Sequence, residues 1–228
     1  MKFLFNLNEI GPNFLKLRPP ARAVVLAIRY LEINDIELKL CRTYMGENQE
    51  PEFVKKNPQK TVPFLDDNGF YLSESRAILY YLAKARAPES TLLGRFPKKS
   101  ALIHQRLDYE LGTIGPIAAQ IFRSVFQGKT TIVDPELRDK LYGALNLVDD
   151  FLTKTAYIAD NFVSIADFSY LANISTFVHC GAPIQTKFPN IWTWYQRCKS
   201  LAGYEENEEG ARSIGNMFKG KLTEPFDN

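Results

Sequence analysis

The feature of this sequence that most constrains its fold is a change of hydrophobic pattern near residue 86. Before that point, short runs of alternating apolar and polar residues lie between stretches with helical spacing, which predicts strands and helices together. Residues 86–98 contain two prolines, and we interpret them as a linker. After the linker no convincing strand alternation occurs, and we expect helices near 99–126, 135–154, 165–180, 188–200 and 207–219. The sequence therefore predicts an α/β domain over 1–85 and an all-α domain over 99–228.

The first 85 residues predict a small mixed sheet. The expected elements are a strand at 2–6, a long loop at 7–17, a helix from Pro20, strands at 36–40, 61–65 and 70–72, and a helix at 73–85. An Asn-Gly step between the last two strands is typical of a hairpin turn. We therefore expect parallel opening strands joined by a helical crossover, a further helix before the hairpin, and an antiparallel final pair.

Two helix starts in the second half carry capping signals. Asp134 before Pro135 predicts an N-cap followed by a first-turn proline. Ser164 and Asp167 have the Ser-x-x-acid spacing of a capping box, in which each residue satisfies a free N–H group of the other's backbone.

The charge and cysteine content exclude several classes of protein. With 28 Lys and Arg against 26 Asp and Glu, the net charge of +2 argues against nucleic acid or an anionic membrane as the main partner, because those partners need a concentrated basic surface. No apolar run approaches the roughly 18 residues of a membrane span, and the N-terminus is a poor signal peptide. Three dispersed cysteines and two histidines indicate reduced thiols and no metal site. We expect a cytoplasmic protein.

The most informative stretch for chemistry is residues 57–78. Val62-Pro63 at a strand start can leave backbone groups free to pair with an extended peptide, and a cis bond at Pro63 would hold that geometry. Ser73-Glu74-Ser75 opens a helix whose N–H groups and dipole favour a carboxylate. An extended peptide with a terminal carboxylate fits both features. An ordinary hairpin followed by a capped helix fits them as well.

Together with other motifs, this stretch strongly resembles the glutathione-binding signature of the cytosolic glutathione transferases. The resemblance covers about residues 18 to 215 and is greatest to the insect delta and epsilon classes. The other motifs on which the resemblance rests are Pro19-Pro20-Ala21-Arg22-Ala23, Pro51-Glu52-Phe53, Asn57-Pro58-Gln59, Ser164-Ile165-Ala166-Asp167 and Gly203-Tyr204-Glu205-Glu206-Asn207. The resemblance implies a thioredoxin-like N-terminal domain, a helical-bundle C-terminal domain, glutathione as co-substrate and a homodimer.

The resemblance implies roles for residues around the helix that begins after the hairpin. Glu74 and Ser75 would bind the γ-glutamyl end of glutathione. Arg76 and Glu110 resemble the charged network behind that end of the peptide.

The same resemblance implies a second group of glutathione contacts. Val62 would pair with the cysteinyl backbone beside a cis-Pro63. Lys60, where the family often has histidine, would meet the glycyl carboxylate in a charge-assisted contact. Asn48 also stands where delta-class members often have histidine.

The chain departs from the family at the residue that activates the thiol. Delta and epsilon relatives have a serine before the Pro-Pro-x-Arg pattern, and this chain has Arg18 there. Alignment from the first strand gives residues 6–9 instead, with no Ser, Tyr or Cys, so the loop at 7–17 is enlarged. Arg18 would lower the thiol pKa if it contacts the sulfur, or it is a solvated loop residue. A backbone N–H, an amide such as Asn8, or water are the other candidate donors.

Five side chains occupy helices that line the second-substrate pocket in relatives. They are Tyr109, Phe122, Phe126, Met217 and Phe218. Aromatic residues at helical spacing also build ordinary cores, so both interpretations stand.

Three classes of function are compatible with these features. The leading one is conjugation of the glutathione thiolate to electrophilic hydrophobic small molecules. The runner-up is a weakly catalytic or non-catalytic carrier of hydrophobic ligands, which the missing serine favours. A protein-interaction module is a third class, and the retained glutathione-binding residues argue against it.

Overall fold

The computed structural model of the chain describes residues 1–6 and 18–228. Within these residues, the sheet consists of β1 (Lys2–Asn6), β2 (Glu37–Cys41), β3 (Phe64–Asp67) and β4 (Phe70–Ser73). The helices around it are α1 (Pro19–Tyr30), α2 (Pro51–Lys56) and α3 (Ser75–Arg86). The later helices are α4 (Pro97–Tyr109), α5 (Gly115–Phe126), α6 (Pro135–Leu152), α7 (Ile165–Cys180), α8 (Ile184–Lys187), α9 (Pro189–Arg197) and α10 (Tyr204–Lys219).

The sheet has the predicted mixed topology, with strand order β2-β1-β3-β4. β1 and β2 are parallel, whereas β3 is antiparallel to both β1 and β4. Since α1 connects two parallel strands, it runs back along the sheet from the edge where β1 ends. Leu4 pairs with Phe64, and Phe64 pairs with Ser73. The end of β1, the start of β3 and the end of β4 therefore lie at one edge of the sheet.

The strand β3 begins three residues later than the sequence predicted. The buried side chain of Asn57 donates a hydrogen bond to the carbonyl of Thr61 at 2.8 Å and accepts one from the amide of Gln59 at 3.2 Å. Val62-Pro63 follows with the expected cis peptide bond. Because proline has no N–H to donate and the preceding loop is held by Asn57, regular pairing starts only at Phe64.

The predicted single helix over 99–126 is interrupted. A π-helical turn at Glu110–Ile114 separates α4 from α5. Pro116 in the first turn of α5 explains the break, because proline lacks an N–H and its ring clashes with the carbonyl four residues earlier. The wider turn carries Glu110, whose side chain is almost fully buried.

The helical domain is built around α7, which is buried on nearly all sides. Its capping box is present as predicted, with the amide of Ser164 donating to Asp167 at 2.8 Å. Asp134 caps α6 as predicted and accepts from the amides of Glu136 and Leu137 at 2.8 and 3.3 Å. No helix in the described ranges is both long and apolar enough to span a lipid bilayer.

Close packing of α10 on α7 depends on Gly215. A Cβ atom at this position would lie 2.5 Å from the backbone of His179, a distance that side chains do not adopt. The fold therefore places α10 against α7.

α10 begins at Tyr204, three residues before the predicted start. The residue before it, Gly203, adopts a left-handed conformation with φ 83° and forms the N-cap of the helix.

Candidate functional site

The candidate site lies at the sheet edge where β1 and β4 end and β3 begins. The start of α3 follows β4 directly, and α1 begins at the same edge for the topological reason given above. Two helix N-termini and an unpaired segment before β3 therefore converge. The free N–H groups at the start of α3 favour an anion, whereas α1 begins with Pro19 and Pro20, which have no N–H. An unpaired strand segment can pair with an extended peptide.

The segment before β3 has backbone groups outside the sheet. Val62 is half-buried and precedes the first residue of the β1–β3 register, which is Phe64. Lys60 is exposed with φ 56°, and its amide donates to the carbonyl of Asn57 at 3.0 Å. The segment is thus fixed from one side by Asn57 and presents Lys60 to solvent.

Asn48 joins this segment to the preceding loop. Its side-chain Nδ2 donates to the carbonyl of Lys60 at 2.6 Å, while its buried Oδ1 has no hydrogen-bond partner within the described chain. Asn48 therefore holds the backbone of Lys60 and leaves one acceptor unused.

The start of α3 presents a hydroxyl and free backbone donors. Ser75 is the first residue of the helix and only 5% exposed, and no described residue forms a hydrogen bond with its hydroxyl. Glu74 precedes it in an exposed, left-handed conformation with φ 68°. The first N–H groups of a helix have no partner within the helix. This end of α3 can therefore bind a carboxylate, with Glu74 available to an ammonium group beside it.

A buried ion pair fixes the first turn of α3. Arg76 donates to Glu110 of the π-helical turn. The Glu110 carboxylate, 1% exposed, also accepts from Ser169 Oγ at 2.7 Å and from Asn173 Nδ2 at 3.0 Å. The structure therefore brings Arg76 and Glu110 together, as the resemblance implied, and anchors them on α7.

Ser169 and Asn173 were missed by the sequence analysis as partners of Glu110. They are four residues apart, so they lie on one face of α7, and this spacing was the available signal. Asn173 Nδ2 also donates to the carbonyl of Ser169 at 3.1 Å, so both N–H groups of this side-chain amide are used within the protein.

Arg18 lies at the N-cap position of α1. Its side chain is exposed and makes no capping hydrogen bond, and its carbonyl accepts from the amides of Ala21 and Arg22 at 3.0 Å each. The alternative donor Asn8 and the loop at 7–17 lie outside the described residues.

Three of the five predicted pocket residues form one aromatic cluster. Phe218 is fully buried, with ring centroids 5.0 Å from Phe122 and 6.0 Å from Phe126. Phe122 and Phe126 are half-buried, as is Met217 on α10. Tyr109 instead packs against Phe151 at 6.2 Å, and its hydroxyl donates to the carbonyl of Ala144 at 3.1 Å.

The cysteines and histidines do not form a reactive centre in the described chain. All three cysteines are free and buried, and burial, with a smaller contribution from Glu47, raises the pKa of Cys41 to about 11. His104 packs on Tyr80, and His179 contacts Glu208 at 2.8 Å. Among the described residues, no group of three His, Cys, Asp or Glu could hold a metal ion.

Comparison with known proteins gives consistent matches. Residues 13–84 match the family model described as "Glutathione S-transferase, N-terminal domain". A delta-class glutathione transferase from Nilaparvata lugens is 35% identical, with 97% of this chain and 99% of that chain covered and a TM-score of 0.86. An epsilon-class enzyme from the housefly Musca domestica is 29% identical, with 98% and 99% covered and a TM-score of 0.85. A glutathione transferase homologue from Drosophila mojavensis, solved with bound glutathione, is 29% identical, with 97% of each chain covered and a TM-score of 0.83.

Proposed function

This chain belongs to the glutathione S-transferase family and is most similar to its insect delta and epsilon classes, and we propose that it conjugates the glutathione thiolate to electrophilic hydrophobic small molecules. The observation that carries the proposal is the convergence, at one sheet edge, of the unpaired segment at Val62 and the free N-terminus of α3. A tripeptide with a carboxylate at each end matches that arrangement.

Glutathione would lie along this edge in an extended conformation. The γ-glutamyl carboxylate would accept from Ser75 and the first amides of α3, and its ammonium group would face Glu74. The cysteinyl backbone would pair with Val62, and the glycyl carboxylate would meet Lys60 near Asn48. The buried Arg76–Glu110 pair supports this assignment, because it fixes the helix turn that bears Ser75.

The reaction requires a lowered thiol pKa and a site for the second substrate. We assign the first to Arg18, whose exposed cation at the start of α1 would favour the thiolate. For the second, the half-buried side chains Phe122, Phe126 and Met217 offer an apolar surface backed by Phe218. Tyr109 packs against Phe151 outside this cluster and would contribute from the end of α4. The domain over 1–85 would thus hold glutathione, and the domain over 99–228 the electrophile.

A conjugation assay with several general electrophiles tests the proposal. Glutathione-dependent turnover above the uncatalysed rate is the expected result. Binding of glutathione by calorimetry without turnover of any electrophile would contradict the enzymatic assignment and leave the carrier function.

Ser75→Ala is expected to weaken glutathione binding by about 1–2 kcal/mol, because the variant loses a hydrogen bond to a charged carboxylate. Isothermal titration calorimetry measures the change, which corresponds to roughly a 5- to 30-fold higher Kd. Ser200→Ala removes an exposed hydroxyl that donates to Arg197 in the helical domain and should leave Kd unchanged. Equal Kd values for all three proteins would remove Ser75 from the site.

Arg18→Ala is expected to raise the pKa of bound glutathione by about one unit and to slow conjugation at neutral pH roughly tenfold. The thiolate absorbs in the ultraviolet, so the absorbance of the complex as a function of pH gives the pKa directly. Arg18→Ser tests whether a hydroxyl at this position can replace the cation. An alanine variant with the parent's pH–rate profile would show that Arg18 is a solvated loop residue.

We expect the protein to be a homodimer at micromolar concentration. Phe70, Tyr80 and Leu111 are 48%, 43% and 50% exposed and line one groove with His104, and these exposed apolar side chains support the proposed interface. Sedimentation should give about twice the mass of one chain for the parent protein. The Leu111→Arg variant should sediment with the mass of a single chain. Leu147→Arg, at an exposed leucine of α6, is the matched control and should remain dimeric. A parent protein that sediments as a single chain would contradict this expectation.

A further inference from the structure

Arg22 is a buried arginine that connects the first helix to the helical domain. It lies one turn into α1 and is 1% exposed. Its Nη1 donates to the carbonyl and the Oδ1 of Asn207 at 2.9 and 3.0 Å and to Ser175 Oγ at 3.3 Å. Its Nη2 donates to the carbonyl of Ala172 at 2.7 Å and to Thr176 Oγ1. One guanidinium thus holds α1 against both α7 and α10.

The charge of Arg22 has no carboxylate in direct contact among the described residues. Its acceptors are carbonyl, amide and hydroxyl oxygens, and burial lowers its pKa to about 9. Glu208 partly opposes that shift but is connected to the arginine only through Asn207, whose Nδ2 lies 3.4 Å from the carboxylate. Glu208 is itself engaged by His179 at 2.8 Å and Tyr195 at 2.6 Å.

The protein provides space specifically for this side chain. A Cβ atom at position 210 of α10 would lie 2.6 Å from Cδ of Arg22, so glycine is needed there. Nε of Arg22 is buried without a hydrogen-bond partner among the described residues. A buried charge is costly even when most of its hydrogen bonds are made, and an apolar side chain would fill the same space without that cost. What an apolar residue could not supply is a set of directional contacts that fixes the rotation and axial position of α1.

Arg22 is also directly linked to the start of α1. Its amide donates to the carbonyl of Arg18 at 3.0 Å, so the two residues belong to the same helical turn. Pro19 and Pro20 fix the backbone dihedrals of that turn without removing an intrahelical hydrogen bond, so the contacts of Arg22 act on a turn that is already rigid. The turn lies at the sheet edge proposed above for glutathione.

We propose that Arg22 is a positioning residue for the glutathione thiol, fixing the first turn of α1 against α7 and α10 so that the groups facing the sulfur keep their geometry. This inference rests on the proposed function. It assigns to the Arg22 contacts an effect on the thiol that a purely stabilising link between the two domains would not have.

The test uses two variants that loosen the same contacts to different degrees. Arg22→Lys keeps the charge and removes the forked set of donors. Thr176→Val keeps the shape of the residue on α7 and removes one acceptor of Nη2. For each variant, the pKa of bound glutathione is measured by ultraviolet absorbance, kcat and KM are measured across pH, and Tm is recorded.

Arg22→Lys is expected to lower kcat at neutral pH on the order of tenfold and to raise the thiol pKa by about one unit, with KM for glutathione changed less than about twofold. Thr176→Val should give changes of the same sign and about two- to threefold in kcat. If Arg22→Lys does not fold, the isosteric Thr176→Val variant decides the question alone.

Arg29→Gln is the matched control. Arg29 lies on the same helix and pairs with Glu206 of α10 at 2.8 Å, but the pair is exposed and lies at the far end of α1. Its variant should leave thiol pKa and kcat unchanged. A lowered Tm in Arg22→Lys or Thr176→Val with an unaltered thiol pKa and kcat would overturn the proposal. Failure of the proposed function itself is recognised separately, because the parent protein would then bind or turn over no glutathione.

Discussion

Replacing Asp167 by alanine is expected to lower the free energy of unfolding by about 3–5 kcal/mol, because this buried carboxylate accepts four hydrogen bonds that no other group can replace. Its donors are the amides of Ile158 and Ser164 at 2.9 and 2.8 Å, Ser164 Oγ at 2.8 Å and Trp194 Nε1 at 2.9 Å. Asp167 is 0% exposed, so its four donors are shielded from bulk water in the parent protein. The variant would leave several buried donors unpaired at the start of the central helix α7.

Chemical denaturation of the two proteins measures this difference. Asp134→Ala is the matched control, because Asp134 also caps a helix but lies at an exposed position where water can satisfy the freed amides. The control should lose only about 1 kcal/mol. Equal losses in both variants would mean that Asp167 acts as an ordinary helix cap and that its contacts with Ile158 and Trp194 contribute little.

Asp167 also illustrates what the sequence could and could not predict. The Ser-x-x-Asp spacing correctly predicted the local half of its contacts, because a capping box is formed within four residues. Ile158 and Trp194 are 9 and 27 residues away from Asp167, and no local spacing encodes those distances. The sequence therefore predicted the contacts within the capping box, but not the contacts between Asp167 and residues distant in the chain.

The sheet and the helices follow the same rule. The predicted mixed topology is confirmed, since alternation, the Asn-Gly turn and the need for a crossover helix are all local signals. The sequence analysis predicted one helix over 99–126 and did not predict the break at 110–114. The physical cause of the break is Pro116, in the first turn of α5. Hydrophobic periodicity continues through such a turn, so the pattern alone reads as one helix.

The sequence pointed to candidate site residues, but it did not predict the hydrogen bonds that hold those residues in place. Ser75, Val62, Arg76 and Glu110 were predicted as site residues from the resemblance to a family, and that assignment stays a prediction. The contacts that hold them, from Asn57 within the loop and from Ser169 on α7, became visible only in three dimensions. Arg22 is the extreme case, since its partners lie at least 150 residues away.

Glu110→Ala is expected to lower the free energy of unfolding by about 3–5 kcal/mol and to weaken glutathione binding as well. Removing one member of a buried ion pair leaves the other charge without compensation. Here the remaining charge is Arg76, whose side chain is 18% exposed, and Ser169 and Asn173 lose their acceptor too. Because Arg76 follows Ser75 directly, the first turn of α3 would lose its anchor at the position proposed to bind the γ-glutamyl carboxylate.

Denaturation and calorimetry separate the two consequences. Glu110→Gln retains the size of the side chain and part of its hydrogen bonding, so it should lose less stability than alanine while still weakening binding. Glu206→Ala is the control for a charge pair: Glu206 pairs with Arg29 at 2.8 Å on the surface, where such pairs contribute at most about 1 kcal/mol. If Glu110→Ala retained the Kd of the parent for glutathione at a temperature where it is folded, the buried pair would serve stability alone. The geometry of Ser75 would then be set by β4 and the backbone of Glu74.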